Sequence, residues 1–331
     1  MHSSDSSPPS DGSLPSDGSL PSDCSADSLV RTAHRVGLQA LRWLHAHREH
    51  GALPPDTTAE LAEPDTVYKP LGETALAASL VIREGVAGAA ELKLAHELLD
   101  FTWKQLGGGD MLHERLLRYP LMSDPLETYA HFARSGYRHE ALDRLLDHTT
   151  SLRSARAMEM VPNRRLAVAN AARISGFDGG DRAPEWERLA RATWLGARPE
   201  PWLIDWMTAY HMTHTVFHLT DWGRLPAGLP ADLAGYLGRW LPVWLDIWAE
   251  IGEWDLVAEL LIVSACLPEP ARTAADWTRL AAVQHEDGLL PRDGTPVEGE
   301  AAERFVTHHH TTVVAAVAGT LTVARALGRE R

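Results

Sequence analysis

Apolar residues in this chain return at intervals of three and four along nearly its whole length, the spacing that lays one stripe down a helix. Leu29, Val30, Ala33, Val36, Gly37, Ala40, Leu41 and Leu44 set the first such face. It runs from Asp27-Ser28 to His50-Gly51, where glycine and the Pro54-Pro55 pair end it. The same period predicts helices from Leu71 to Glu84, Ala87 to Gln105, Asp124 to Ser135, His139 to Leu152, Pro162 to Ile174 and Pro184 to Leu195. It continues from Pro199 to Thr220, Pro230 to Ile251, Glu253 to Leu267, Pro270 to Gln284 and Phe305 to Leu327. Alternating Val, Ile and Thr runs bounded by Asn-Gly or Asp-Gly turns, the mark of strands, are nearly absent.

The predicted helices are joined mostly by short links punctuated with Pro and Gly, which favours antiparallel neighbours. A solenoid of stacked pairs would show a recurring unit of about 34–47 residues, and no such unit occurs. The expected fold is therefore all-α, with about twelve helices arranged as antiparallel hairpins in a closed α/α toroid. Residues 1–27 stand apart: Ser10-Asp-Gly-Ser-Leu-Pro15 recurs as Ser16-Asp-Gly-Ser-Leu-Pro21. So little apolar surface cannot offset the entropy of ordering. The stretch reads as a disordered tail, and residues 28–331 as one toroid domain.

One predicted helix carries a polar seam on an apolar body, Tyr210-His211-Met212-Thr213-His214-Thr215-Val216-Phe217-His218-Leu219-Thr220-Asp221-Trp222-Gly223. At roughly 100° per residue, positions 211, 214, 218 and 221 fall within about 80° of one another. Three imidazoles and a carboxylate then share a face. A second cluster, His308-His309-His310, opens the last apolar run, and at most two of three consecutive helical residues reach one point. Together these residues are the candidate ligands of a metal centre: His211, His214 and His218, completed from His308, His309 and His310. Neutral imidazole suits a divalent transition metal such as Fe, Cu or Zn. His211 and Asp221 are the candidate catalytic residues, as base or further ligand.

The competing reading is a hydrogen-bonded polar core, in which threonines 213, 215, 220, 307, 311 and 312 satisfy the histidines. His214 and His218 have the spacing of the zincin motif without its glutamate, which argues against a metalloprotease. Glu73 and Glu127 are more distant ligand candidates or surface carboxylates. Arg164-Arg165 reads as a substrate clamp or a surface pair.

Tryptophan is abundant, with 12 residues. Trp202 and Trp206 are spaced by four, as are Trp240, Trp244 and Trp248, which aligns each set along one helix side. Trp206, Tyr210, Trp222 and Trp244 are candidate walls of a substrate cavity. The chain carries 31 basic and 45 acidic side chains in 331 residues, a net charge of -14. That balance opposes nucleic acid or an anionic membrane as partner, since both reward clustered Lys and Arg. Two cysteines, one in the tail and one in an apolar run, make a disulfide improbable and a reducing, cytoplasmic setting the expectation. No signal pattern and no membrane-length apolar run is present.

The segment Leu280-Ala-Ala-Val-Gln284-His-Glu-Asp287-Gly288-Leu-Leu-Pro291-Arg-Asp293-Gly294 resembles the inter-helical loops of α/α-toroid proteins, a class that includes terpene cyclases, lanthionine cyclases and six-hairpin glycosidases. The departures are chemical. Cys266 is the only cysteine of the folded region, against the two that lanthionine cyclases use for zinc, and no Asp-rich cyclase motif occurs. Tyr68-Lys-Pro-Leu-Gly-Glu73, Thr213-His214 through Asp221-Trp-Gly-Arg224-Leu-Pro226, and the Gln284–Gly294 loop resemble an uncharacterised actinobacterial family linked to natural-product gene clusters. That resemblance implies a natural-product setting and supplies no catalytic residues; joined to the histidine clusters, it gives the expectation of a metal-dependent tailoring enzyme acting on a small molecule or peptide in bacterial natural-product biosynthesis. The alternative it leaves open is a non-catalytic binding or partner subunit, whose aromatic-lined cavity holds a biosynthetic intermediate.

Overall fold

Fourteen α-helices and no strand occur among the residues that the structure, a computed structural model, describes: 22–60, 67–179, 184–271 and 273–328. In chain order they are α1 (Ser22–His47), α2 (Lys69–Glu84), α3 (Ala89–Gln105), α4 (Asp110–Arg118), α5 (Asp124–Arg134), α6 (Glu140–Ser151) and α7 (Arg153–Ala157). The second half holds α8 (Pro162–Ser175), α9 (Trp186–Arg191), α10 (Trp206–Leu219), α11 (Ala231–Ile251), α12 (Trp254–Cys266), α13 (Ala274–Val283) and α14 (Ala301–Ala326). The expected all-α fold of about a dozen helices is what is observed; α4 and α7 are the additions. The tail reading for residues 1–27 falls outside the described residues up to position 21, and α1 begins at Ser22. No helix of the described residues is long and apolar enough to cross a membrane.

Local chemistry sets several boundaries. Proline stands in the first turn of α2, α5 and α8, where its missing N–H leaves no bond unmade. α10 starts at Trp206 rather than Pro199. Asp205 accepts from the Thr208 N–H at 2.7 Å, and the Thr208 hydroxyl accepts from the Asp205 N–H at 2.8 Å, a reciprocal cap. The preceding stretch is held against α11 instead, its Pro199 and Pro201 carbonyls accepting from the Tyr236 hydroxyl and the Trp244 indole.

Six helices follow one another as neighbours around a closed circuit: α2, α5, α8, α10, α12, α14 and back to α2. The others pack outside, α1 on α14, α13 and α3, and α11 on α12 and α13. The inner helices point the same way, because like ends meet. Near their starts, Arg164 of α8 pairs with Glu127 of α5 at 2.6 Å. Near their ends, Arg173 of α8 donates to the His218 carbonyl of α10, and Arg325 of α14 to the Pro268 carbonyl just past α12. The most intimate packing is between α1 and α14, where Gly37 and Gly319 bring the backbones together. A Cβ built on Gly319 would lie 2.5 Å from the Ala33 carbonyl oxygen and 2.7 Å from the Gly37 Cα.

Candidate metal centre and cavity

Because six helices of the same direction surround one axis, the residues of their first halves converge at one end and those of their second halves at the other. Between them lies a cavity of about 460 Å³ lined from all six. Its upper half is polar, with Tyr68, Glu73, Glu127, Arg164, Tyr210, His214, Glu259 and His310. Its lower half is mostly apolar, with Ile174, Phe217, Trp222, Ile262, Val314 and Val317 around His131, His218 and Asn170.

The polar half holds one compact group. His310 faces three carboxylates: its Nδ1 is 2.7 Å from Glu73 Oε1, and its Nε2 is 3.7 Å from Asp255 Oδ2 and 3.9 Å from Glu259 Oε1. One ligand atom each from Asp255, Glu259 and His310 lies within 4.8 Å of the others. The remaining carboxylate oxygens are engaged from behind. Thr311 donates to Asp255 Oδ1 at 2.8 Å, and Thr213 donates to Glu259 Oε2 at 2.5 Å. Oδ2, Oε1 and Nε2 are thereby left turned toward a common point. Ligand atoms about 2.1 Å from a tetrahedral ion stand about 3.4 Å apart, which the His310 spacings of 3.7 and 3.9 Å to the two carboxylates approach.

The charges point the same way. Burial disfavours the His310 imidazolium, yet Glu73, Asp255 and Glu259 overcome it and hold the ring's pKa well above the ordinary histidine value. Burial likewise works to raise Glu73, but His310 and His309 prevail and keep it well below the ordinary carboxylate range. Lys69 stands 3.7 Å from Glu73. Three carboxylates facing one imidazolium and one ammonium leave a negative charge over. A divalent ion in place of the Nε2 proton would balance the group.

Beside this group stands His214, whose Nδ1 is 2.9 Å from the Tyr210 carbonyl oxygen one turn back. A carbonyl only accepts, so Nδ1 carries the hydrogen and Nε2 the lone pair. Burial, opposed by nearby Glu259 and helped by His218, pushes the His214 pKa down to about 4. His218 is pushed to about 3 by burial and by Arg164, and His131 to about 3 by burial and by Arg134. The cavity therefore holds one charged histidine and three neutral ones.

The expected site residues fall into place unevenly. His214, His218 and His310 line the cavity, as do Tyr210 and Trp222. His211, one of the two expected catalytic residues, stands outside the lining, its ring against Tyr210 at 5.8 Å. His308 turns the other way, its Nδ1 accepting from the Arg292 N–H at 3.1 Å. His309 serves from behind, its ring bonded to the Thr74 hydroxyl at 2.9 Å and standing 3.4 Å from Glu73. Consecutive helical positions diverge by about 100°, which is why one of the three is delivered. Trp206 is 46% exposed and stacks on Tyr210, at the surface end of α10. Trp244 is buried on α11 with its indole committed to Pro201, away from the cavity lining.

Asp221, the expected ligand or base, is bound elsewhere. Its carboxylate takes two N–H bonds from Arg134, at 2.7 and 3.3 Å, while Arg83 donates to the carbonyls of Asp221 and Trp222. The backbone here is left-handed at three successive residues, with φ of 46° at Asp221, 53° at Trp222 and 77° at Gly223. Side-chain-bearing residues hold that conformation only where the surroundings impose it. Asp221 is thus part of a clasp beneath the cavity.

Asp255 and Glu259 escaped the reading of the sequence, although a signal was present. Both sit one turn apart in α12, where every residue from Asp255 to Cys266 is buried. Two carboxylates on such a helix demand charged or hydrogen-bonding partners.

The sequence profile of the family described as Domain of unknown function (DUF6895) matches residues 37–320, and the chain belongs to that family. No curated protein and no solved structure matches the chain.

Proposed function

We propose that this family member is a metal-dependent enzyme that modifies a small molecule in the central cavity, with Asp255, Glu259 and His310 as ligands of a divalent ion. The observation that carries the reading is the opposed engagement of His310. Nδ1 is tied to Glu73, which leaves Nε2 to a point shared with Asp255 Oδ2 and Glu259 Oε1. A carboxylate behind a ligating imidazole is the common supporting arrangement of such centres. Two carboxylates and one imidazole make a harder donor set than the three or four imidazoles expected from the sequence. This moves the choice of metal from Cu toward Fe(II), Mn(II) or Zn.

When bound, the ion would polarise a substrate oxygen or lower the pKa of a water. His214 Nε2, a neutral acceptor across physiological pH, would take or return a proton beside it. Glu73 would fix the orientation of His310, and the apolar half would hold the body of the substrate away from water. The setting implied by the resemblance is a tailoring step in bacterial natural-product biosynthesis.

Metal analysis by inductively coupled plasma mass spectrometry tests the reading, on the wild type beside Asp255→Asn/Glu259→Gln, after reconstitution with Fe(II), Mn(II) and Zn in turn. One ion per chain, lost in the double variant, is the expected result. A wild type that retains none of the three would overturn it, leaving the cavity as the chamber of a non-catalytic binding protein.

A further inference from the structure

Asn170 is 2% exposed on α8 and lines the lower half of the cavity. Its orientation is imposed by Arg173 one turn on, whose Nε and Nη2 donate to Asn170 Oδ1 at 3.2 and 2.7 Å. A guanidinium only donates, so the oxygen must face it. Arg173 cannot turn away easily, for Nη2 also donates to the His218 carbonyl at 3.0 Å and the guanidinium lies 4.2 Å over the Trp186 ring. The amide Nδ2 is thereby aimed away from Arg173, with no hydrogen-bond partner among the described residues. Nδ2 opens onto the cavity rather than being sealed in the core, a donor free to meet an acceptor that enters there.

The surroundings narrow what that ligand is. His131 and His218 line the same cavity as neutral rings, and His131 Nδ1 is itself buried without a partner. The guanidinium in the lining, Arg164, is paired with Glu127 at 2.6 Å, Arg173 is held by Asn170 and the His218 carbonyl, and Arg134, outside the lining, is bound to Asp221. A carboxylate entering here would lose its hydration for neutral dipoles and apolar walls, at high cost. An ammonium would fare no better, because the carboxylates of the cavity stand in its other half. We infer that the lower half of the cavity is a subsite for the apolar end of an uncharged, carbonyl-bearing molecule, whose oxygen accepts from Asn170 Nδ2. The inference rests on the proposed metal reading only in taking the acid-lined half as the reacting end.

Isothermal titration calorimetry with 2-nonanone, 2-nonanol, nonanoate and nonylamine tests it. The ketone should bind the wild type at least tenfold more tightly than the acid or the amine. Asn170→Asp keeps an acceptor for Arg173 and removes the donor, so ketone affinity should fall about tenfold, the worth of one hydrogen bond. The alcohol can donate to the new carboxylate and should lose less than threefold. Ala171→Leu, which fills the same chamber without touching the amide, should abolish ketone binding and serves as the reporter if Asn170→Asp fails to fold. Ketone affinity unchanged in Asp255→Asn/Glu259→Gln would show the subsite to stand whether or not the metal reading does. Equal affinities for ketone and acid, undiminished ketone binding in a folded Asn170→Asp, or undiminished ketone binding in Ala171→Leu would overturn the inference.

Discussion

His310 Nδ1 and Glu73 Oε1 stand 2.7 Å apart, a bond between residues 237 positions apart in the sequence that joins the last inner helix of the ring to the first. It fixes the ring plane of His310, so that the opposite nitrogen meets Asp255 and Glu259. In the proposed centre Glu73 would support the ion without touching it. Glu73→Gln should therefore weaken metal binding by 10–100-fold, the usual effect of losing such a support, while leaving the ligands in place. Competition titration against a chromophoric chelator reads this directly. An affinity unchanged from wild type would remove Glu73 from the centre.

The clasp at Asp221 makes a contrasting prediction. Asp221 and Arg134 are both 4% exposed in their side chains, and removing one partner leaves the other charge buried. Asp221→Asn should cost roughly 3–5 kcal/mol of stability, measured by urea denaturation, and should leave one metal ion per chain. Loss of the metal without loss of stability would return Asp221 to the ligand set expected from the sequence.

These two residues show what was legible in the sequence and what was not. Helical periodicity identified the all-α class, and the seam on α10 pointed to the cavity, because His214 and His218 do line it. The same arithmetic placed His211 and Asp221 on that face, and both lie outside the lining. Spacing within a helix gives the angle between side chains; it does not say where the axis of the ring falls, or that the chain leaves the helix at Thr220 into a left-handed turn. Asp255 was hidden for another reason. Its partners His310 and Thr311 are supplied by α14, and that convergence is a property of ring closure.

Acid should destabilise the protein through its neutral histidines. His131 and His218 have folded pKa values of about 3 against an ordinary 6.5. Between those limits the unfolded chain binds protons that the fold refuses, so stability falls as pH drops from 6.5 toward 3. His214, at about 4, acts in the same direction. His310 is raised and works oppositely, its contribution lost as pH rises through its folded value. Melting temperature from pH 8 to pH 5 should decline in the wild type and decline less in His131→Gln/His218→Gln. Parallel curves for the two proteins would contradict the assignment.

The contact of α1 with α14 gives the most severe steric prediction, since α14 carries His310. Gly319→Ala sets a methyl group 2.5 Å from the Ala33 carbonyl oxygen and 2.7 Å from the Gly37 Cα, backbone atoms that no rotamer change can move aside. The helices must separate, at a cost of about 1–3 kcal/mol for overpacking. Gly238 is the control: it lies within α11 with nothing inside 4 Å of an added Cβ. There the same substitution removes backbone freedom from the unfolded chain without a clash, and should stabilise by up to about 1 kcal/mol. Opposite shifts of the urea midpoint are expected from one chemical change at two helical glycines. If Gly319→Ala proved neutral, the close approach of α1 and α14 would not brace α14 from outside, and the alignment of His310 with Glu73 would have to depend on the inner helices alone.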